Sequence, residues 1–202
     1  MKYKTIYADP PWAESGGGVI VRGAQRHYPL MKTVDIKGLE VNGNPVSWLA
    51  EDNAHCYLWV TNNFLKDGFQ VLESWGFTYK TMITWAKDRF GLGQYFRGQT
   101  EHCLFGVRGC LPYRTREDGK RAQGTTLIVA PRGEHSVKPE GMRRMIELVS
   151  YPPYLELFAR RTVEGWDSWG NETTEPSEQL VLPQPEQEQT PPATTSEPDL
   201  SD

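Results

Sequence analysis

Short apolar runs that alternate with helical patterns decide what this chain of 202 residues can fold into. The runs lie at 3–8, 55–60 (HCYLWV), 78–85 (TYKTMITW), 101–107 (EHCLFGV), 125–130 (TTLIVA) and 154–159 (YLELFA), and each reads as a strand. Two segments carry the period of a helix. Residues 64–75 do so despite Gly68. Residues 139–149 set Met142, Met145, Ile146 and Val149 at i, i+3, i+4 and i+7, with Pro139 at the first turn and Glu140 beside it. Strands interleaved with helices predict a three-layer α/β sheet. In open sheets of this class, ligands bind beyond the carboxyl ends of the strands.

The first strand runs into Asp9-Pro10-Pro11-Trp12. A residue before proline is pushed to extended backbone, which applies here to Asp9 and again to Pro10. Neither proline has an N–H, so the turn presents acceptors, the Asp9 carboxylate and backbone carbonyls, without competing donors. Trp12 adds a flat aromatic surface. Acceptors beside a stacking face suit a planar heterocycle with an exocyclic –NH2, that is, a nucleobase amine. The plainer alternative is an acid and two prolines that end a strand, with Trp12 as core.

Composition narrows the class. Mean hydropathy is −0.60 and no apolar run approaches the length of a membrane span. The N-terminus shows no basic segment followed by an apolar one, so no signal peptide is expected. Cys56, Cys103 and Cys110 include no C-x-x-C pair. They read as reduced thiols of a cytoplasmic protein rather than a disulfide framework or zinc site. His27, His55, His102 and His135 lack metal-ligand spacing, so no metal is expected. The net charge of −4 divides unevenly: 173–202 holds seven acids, six prolines, no Lys or Arg and no aromatic residue. That segment reads as a disordered acidic, proline-rich tail, which leaves a single domain over 1–172 with 22 basic and 19 acidic residues.

Three stretches are too polar or glycine-rich for core elements. Residues 15–32 contain Gly16-Gly17-Gly18, Arg22, Arg26, His27 and Tyr28. Residues 87–100 interleave Lys87, Arg89 and Arg97 with Phe90, Tyr95 and Phe96, and 113–124 carry Arg114, Arg116, Lys120 and Arg121. Cations among aromatics supply phosphate contacts and base stacking, so Arg22, Arg26, Lys87, Arg97, Arg114 and Arg116 are candidate nucleic-acid contacts. A solvated surface would read the same way at any one of these loops. Neither G-x-G-x-x-G nor G-x-x-x-x-G-K-[ST] is present.

Further blocks follow in order: His27-Tyr28-Pro29-Leu30-Met31, Leu58-Trp59-Val60-Thr61, Glu101-His102-Cys103-Leu104, His135-Ser136-Val137-Lys138-Pro139, Glu156-Leu157-Phe158-Ala159-Arg160 and Gly165-Trp166-Asp167-Ser168-Trp169-Gly170-Asn171-Glu172. With Asp9-Pro10-Pro11-Trp12 they resemble the MT-A70 family of S-adenosylmethionine-dependent adenine-N6 methyltransferases, in the form of its small bacterial and phage members. The resemblance implies a Rossmann-like methyltransferase sheet in permuted order, catalytic strand first and cofactor-binding elements last. It implies a catalytic set of Asp9, Pro10, Pro11, Trp12 and Tyr28: Asp9 and Pro10 accepting from the adenine amine, Trp12 and Tyr28 holding the base. It implies cofactor contacts from Asp9, Lys138, Phe158, Arg160, Asn171 and Glu172, with Lys138 on the cofactor carboxylate. Leu30 departs from the threonine common at that place, and Arg161-Thr162-Val163 from the His and Asn of messenger-RNA members. The implied partner is nucleic acid, DNA ahead of RNA, and a homodimer is compatible with it. A non-catalytic nucleic-acid-binding partner of such an enzyme and a cytosine-amine methyltransferase are the competing readings.

Overall fold

The computed structural model describes residues 1–13, 30–91, 93, 95–133 and 137–170. Among these residues nine strands and four α-helices follow in the order β1 (Tyr3–Ala8), α1 (Thr33–Lys37), β2 (Glu40–Val41), β3 (Asn44–Pro45), α2 (Val46–Leu49), β4 (Ala50–Val60), α3 (Leu65–Ser74), β5 (Thr78–Ala86), β6 (Thr100–Arg108), β7 (Leu127–Val129), α4 (Glu140–Val149), β8 (Tyr154–Leu157) and β9 (Trp166–Trp169), with a short 3-10 turn, Asn62–Phe64, before α3. Seven strands form one sheet in the order β7-β5-β6-β4-β1-β8-β9, and β2 and β3 make a small separate hairpin. Only β6 runs against its neighbours; the other pairings are parallel. The architecture is a Rossmann-like α/β sheet.

Period-2 alternation assigns the two faces of the sheet. Ile6, Ala8, Cys56, Leu58, Val60, Leu104, Leu155 and Leu157 point to one side and pack with Ile36 of α1, Leu49 of α2, and Val71 and Leu72 of α3. Tyr7, Tyr57, Trp59, Ile83, Trp85, Cys103 and Tyr154 point to the other, where Met142 and Ile146 of α4 cover them. Three layers result. Gly68 belongs in α3 for a steric reason: a Cβ there would lie 2.3 Å from Val60 Cγ1, so its absence lets the helix approach β4.

The sequence-predicted elements lie within a few residues of the observed ones, except that β4 begins earlier, at Ala50. β9 has no counterpart among the predicted strands. Its Trp166-Asp167-Ser168-Trp169 offers two buried aromatics around two polar residues instead of an apolar run. Residues 158–165 join β8 to β9 without a helix, although parallel neighbours usually need a crossover of a dozen residues or more. α1, α2 and the β2–β3 hairpin are likewise too short to show a period. His55 is a satisfied core residue, with Nδ1 at 2.8 Å from Ser150 Oγ and Nε2 at 3.0 Å from the Leu111 carbonyl. Cys56, Cys103 and Cys110 are free thiols, and among the described residues no group of side chains could hold a metal ion. No helix among them is long and apolar enough to cross a membrane.

Candidate active site

The carboxyl ends of β1, β4, β5, β8 and β9 share one edge of the sheet, and antiparallel β6 begins there. Asp9 follows Ala8 at the end of β1, near the centre of that edge. Lys138, on the turn entering α4, donates from Nζ to Asp9 Oδ2 at 2.7 Å and lies 3.3 Å from Glu101 Oε2. Glu101 Oε1 in turn pairs with Lys87, which leaves β5 one residue after Ala86. Four charges from four separate segments thus form a chain, Asp9–Lys138–Glu101–Lys87, whose side chains are 12–25% exposed.

Aromatic rings floor this chain. Lys138 Nζ lies 5.4 Å from the centre of the Trp59 ring and Lys87 Nζ 4.7 Å from that of Trp85. Such contacts hold a cation where water is scarce. Trp59 donates from Nε1 to Tyr7 Oη at 2.8 Å, and Trp85 to the Ala130 carbonyl at 2.8 Å, so the rings themselves are fixed. Burial works against the ammonium of Lys138, but Asp9 and Glu101 outweigh it and raise its pKa above 10.5. Burial likewise pushes the Glu101 carboxyl upward, yet Lys138 and Lys87 hold it below 4.5. Both groups are charged at neutral pH. Beside them His102 sits between Thr84 Oγ1 (3.1 Å) and Asn62 Oδ1 (2.8 Å), and burial lowers its pKa despite the pull of Glu101.

The loop after β1 is pinned. Trp12 N–H donates to the Pro10 carbonyl (3.0 Å), Met31 N–H to that of Pro11 (2.8 Å), and Ala13 N–H to that of Met31 (3.0 Å). Pro10 keeps one carbonyl lone pair for another donor. Trp12 differs from the open stacking face drawn from sequence. It is 7% exposed, stacked on Phe64 at 5.3 Å between ring centres, with Nε1 donating to the Trp59 carbonyl at 3.0 Å. The plainer reading of Trp12 as core holds for its side chain, because a neighbouring aromatic and a backbone acceptor already complete its surroundings. Tyr28 lies outside the described residues, two positions before the point where the chain returns to this loop at Leu30.

At the ends of β8 and β9 the backbone is unusual. Phe158 has φ of +61°, a left-handed conformation that costs a bulky residue about 1–2 kcal/mol, and its ring meets Trp169 edge to face at 6.4 Å. Ala159 N–H donates to the Trp169 carbonyl at 3.0 Å. A Cβ at Gly170 would stand 2.3 Å from Ala159 O, so only glycine fits this crossing. Arg160 is half-buried and partnered, and Arg161 pairs with Glu140 of α4. Asn171 and Glu172 lie outside the described residues.

The candidate nucleic-acid contacts divide. Lys87 belongs to the part-buried ionic chain, so its ammonium is already paired with Glu101. Arg97 is exposed on the β5–β6 loop at the site's edge, over the Phe90 ring at 5.6 Å. Arg114 lies at the opposite edge. Its backbone N–H bonds the Val149 carbonyl at 3.0 Å and its guanidinium the Glu147 carbonyl at 2.7 Å, capping the C-terminus of α4. Arg116 follows in the same loop, 3.5 Å from Asp118. The physical reason is β6: because it runs backwards, the loop before it lies at the Asp9 edge and the loop after it at the far edge. One groove built on all three loops is therefore not what the fold provides. Arg22 and Arg26 fall outside the described residues. Sequence reasoning assigned no role to Glu101; its signal was an acid opening an otherwise apolar strand.

The MT-A70 family model matches residues 3–172, nearly all of the chain before the acidic segment. The chain belongs to the MT-A70 family. It is 30% identical over 204 residues to "Type II methyltransferase M.MunI" from Mycoplasma sp, covering 90% of this chain and 82% of that protein. It is 30% identical over 184 residues to an "N(6)-adenosine-methyltransferase MT-A70-like" of Arabidopsis thaliana, covering 84% of this chain and 24% of the relative. Against the "N(6)-adenosine-methyltransferase catalytic subunit METTL3" of Homo sapiens it is 27% identical over 182 residues, covering 85% and 28%. It therefore spans most of the first relative but only about a quarter of the plant and human ones.

Proposed function

We propose that this chain transfers a methyl group from S-adenosylmethionine to the N6 amine of adenine in nucleic acid, with DNA preferred over RNA. One observation carries the reading: Asp9, followed by two residues without N–H groups, stands at the carboxyl end of a central strand with its Oδ2 2.7 Å from a part-buried lysine. The lone pair of an aryl amine is delocalised into the ring and is a poor nucleophile. The second carboxylate oxygen of Asp9 and the spare lone pair of Pro10 accept its two hydrogens, which favours pyramidal nitrogen and stabilises positive charge developing there. Asp9 or water then takes the released proton.

The residues present fit the cofactor. Its amino-acid end needs a cation and an anion side by side, and Lys138 and Asp9 are such a pair. The close backbone crossing at Gly170, with Phe158 and Arg160 on the adjoining turn, lies at the neighbouring strand ends. When bound, the sulfonium supplies the reactive methyl group. The chain's own residues then position, orient and exclude water. The preference for DNA rests on the near full-length match to a type II methyltransferase. An RNA substrate is the alternative, favoured by the N6-adenosine relatives. A non-catalytic partner role is disfavoured by the intact Asp9-Pro10-Pro11 and the placement of Lys138.

The test is digestion of DNA and RNA to nucleosides after incubation with the protein and isotopically labelled S-adenosylmethionine. N6-methyladenine carrying the label is expected. Asp9→Ala should lower single-turnover transfer by roughly a hundred- to a thousandfold, the usual loss for a removed acceptor of developing charge. Label on cytosine, or a near wild-type rate for Asp9→Ala, refutes the reading.

A further inference from the structure

The loop between β5 and β6 is a narrow projection from the site's own edge. Its stem is laced by Lys87 N–H to the Gln99 carbonyl (2.9 Å), Gln99 Nε2 to the Lys87 carbonyl (3.0 Å) and Gly91 N–H to the Gly98 carbonyl (2.6 Å). Arg97 braces it further, donating from Nε to the Gly91 carbonyl at 3.1 Å while its guanidinium covers Phe90. The five residues from Lys87 to Gly91 span four steps, at most about 13 Å at strand rise. Beyond them Tyr95 is 93% and Phe96 90% exposed, two adjacent aromatic rings almost wholly in water. Among the described residues neither ring has a partner surface that would explain its type.

The surroundings select the partner. Arg89, Arg97 and Arg132 are exposed on or beside the projection, and Asp88 is the acid among them, bonded to the Arg132 N–H at 2.8 Å. A positive tip suits a polyanion and repels a second copy of itself. Two side chains also fall far short of the roughly 800 Å² that each partner contributes to a stable protein interface. One or two apolar side chains are, however, enough to wedge into a single base step of a nucleic-acid duplex. An adenine inside a duplex must leave the stack before its amine can reach Asp9. We propose that Tyr95 and Phe96 form a wedge that enters a nucleic-acid duplex beside the target adenine and fills the stack it vacates. The inference rests on the methyl-transfer reading above and makes duplex nucleic acid its substrate.

The experiment uses the full chain, a duplex containing a site located by modification sequencing, and the same strand alone. With 2-aminopurine at the target position, wild type should raise duplex fluorescence several-fold, and Tyr95→Ala/Phe96→Ala should abolish the rise. The ratio of duplex to single-strand methyl transfer should fall by about tenfold or more, as expected when base–aromatic stacking is lost. Tyr95→Phe/Phe96→Trp should restore it. Calorimetric cofactor affinity within twofold of wild type would show that the double variant is folded. An unchanged ratio, or duplex methylation without a fluorescence change, overturns the wedge while leaving methyl transfer intact. Conversion of a dimer to a monomer by the double variant, with the ratio unchanged, gives the tip to a second copy and also overturns it. Absence of methylation on either form defeats the underlying reading instead.

Discussion

Replacing Glu101 by Gln tests whether the four charges at the sheet edge act as one network. The change keeps shape and an acceptor oxygen but removes the anion between Lys138 and Lys87. Orphaning a buried ion typically costs about 3–5 kcal/mol. Here Lys138 keeps Asp9 at 2.7 Å, Lys87 keeps the Trp85 face, and the site is 12–25% exposed, so a loss of about 2–3 kcal/mol is expected. In a protein of this size that lowers Tm by about 4–12 °C. The acid limb adds a second readout. Because the folded protein holds Glu101 below 4.5, its contribution is fully present above that pH and drains away as pH falls through the lower folded value. Glu101→Gln should therefore be less stable than wild type at pH 7 and approach it near pH 3. Thermal melts from pH 3 to 8 measure both. A Tm within about 1 °C of wild type, with a superimposable acid limb, refutes the network.

Trp12→Ala removes a buried indole and its bond to the Trp59 carbonyl, so it should cost about 3–5 kcal/mol of stability besides any loss of activity. Intact stability with abolished methyl transfer would return Trp12 to the role of a base-stacking face. Arg97→Ala should weaken nucleic-acid binding and reduce the slope of log affinity against log salt by about one, whereas Arg114→Ala should leave that slope unchanged and lower Tm through the lost cap on α4. Salt titrations of the two variants, with melting curves, separate the site's edge from the far one. A chain ending at Thr174 should melt with wild type and bind nucleic acid equally or slightly more tightly, since seven acids are gone. A large fall in Tm would show instead that the segment docks on the body.

What the sequence conveyed follows from what local patterns encode. Apolar runs and a helical period located six strands and the two longer helices, and the proline pair marked the turn that presents Asp9. Lys138 was assigned only through the family resemblance, as the partner of the cofactor carboxylate; its contact with Asp9 is a finding of the structure. Orientation was illegible. Nothing in EHCLFGV says that β6 runs antiparallel, and that reversal sends Arg114 and Arg116 to the far edge while it brings Glu101 to Lys138. Lys87 looked like a surface cation because its neighbours in sequence are polar. Its ion partner, Glu101, comes from β6, which pairs with β5 through hydrogen bonds that no local pattern specifies. Trp12 was read from the turn that carries it, but its surroundings are decided by Phe64, fifty-two positions away on the turn before α3.

The ionic chain also restricts what can bind, on the function proposed. Asp9 and Lys138 already satisfy each other, so a ligand must replace that pair without leaving a buried charge alone. A carboxylate by itself could take Lys138 but would strand Asp9. An ammonium by itself could take Asp9, because Glu101 would still hold Lys138, but it would add an uncompensated positive charge. A zwitterion with both groups on one carbon exchanges one ion pair for two and leaves the net charge unchanged. Glu101 and Lys87 matter here although neither need touch the ligand: they keep Lys138 charged and on its Trp59 face while its partner changes. The amino-acid end of S-adenosylmethionine meets this condition, whereas a dinucleotide, which presents phosphates and no ammonium, does not.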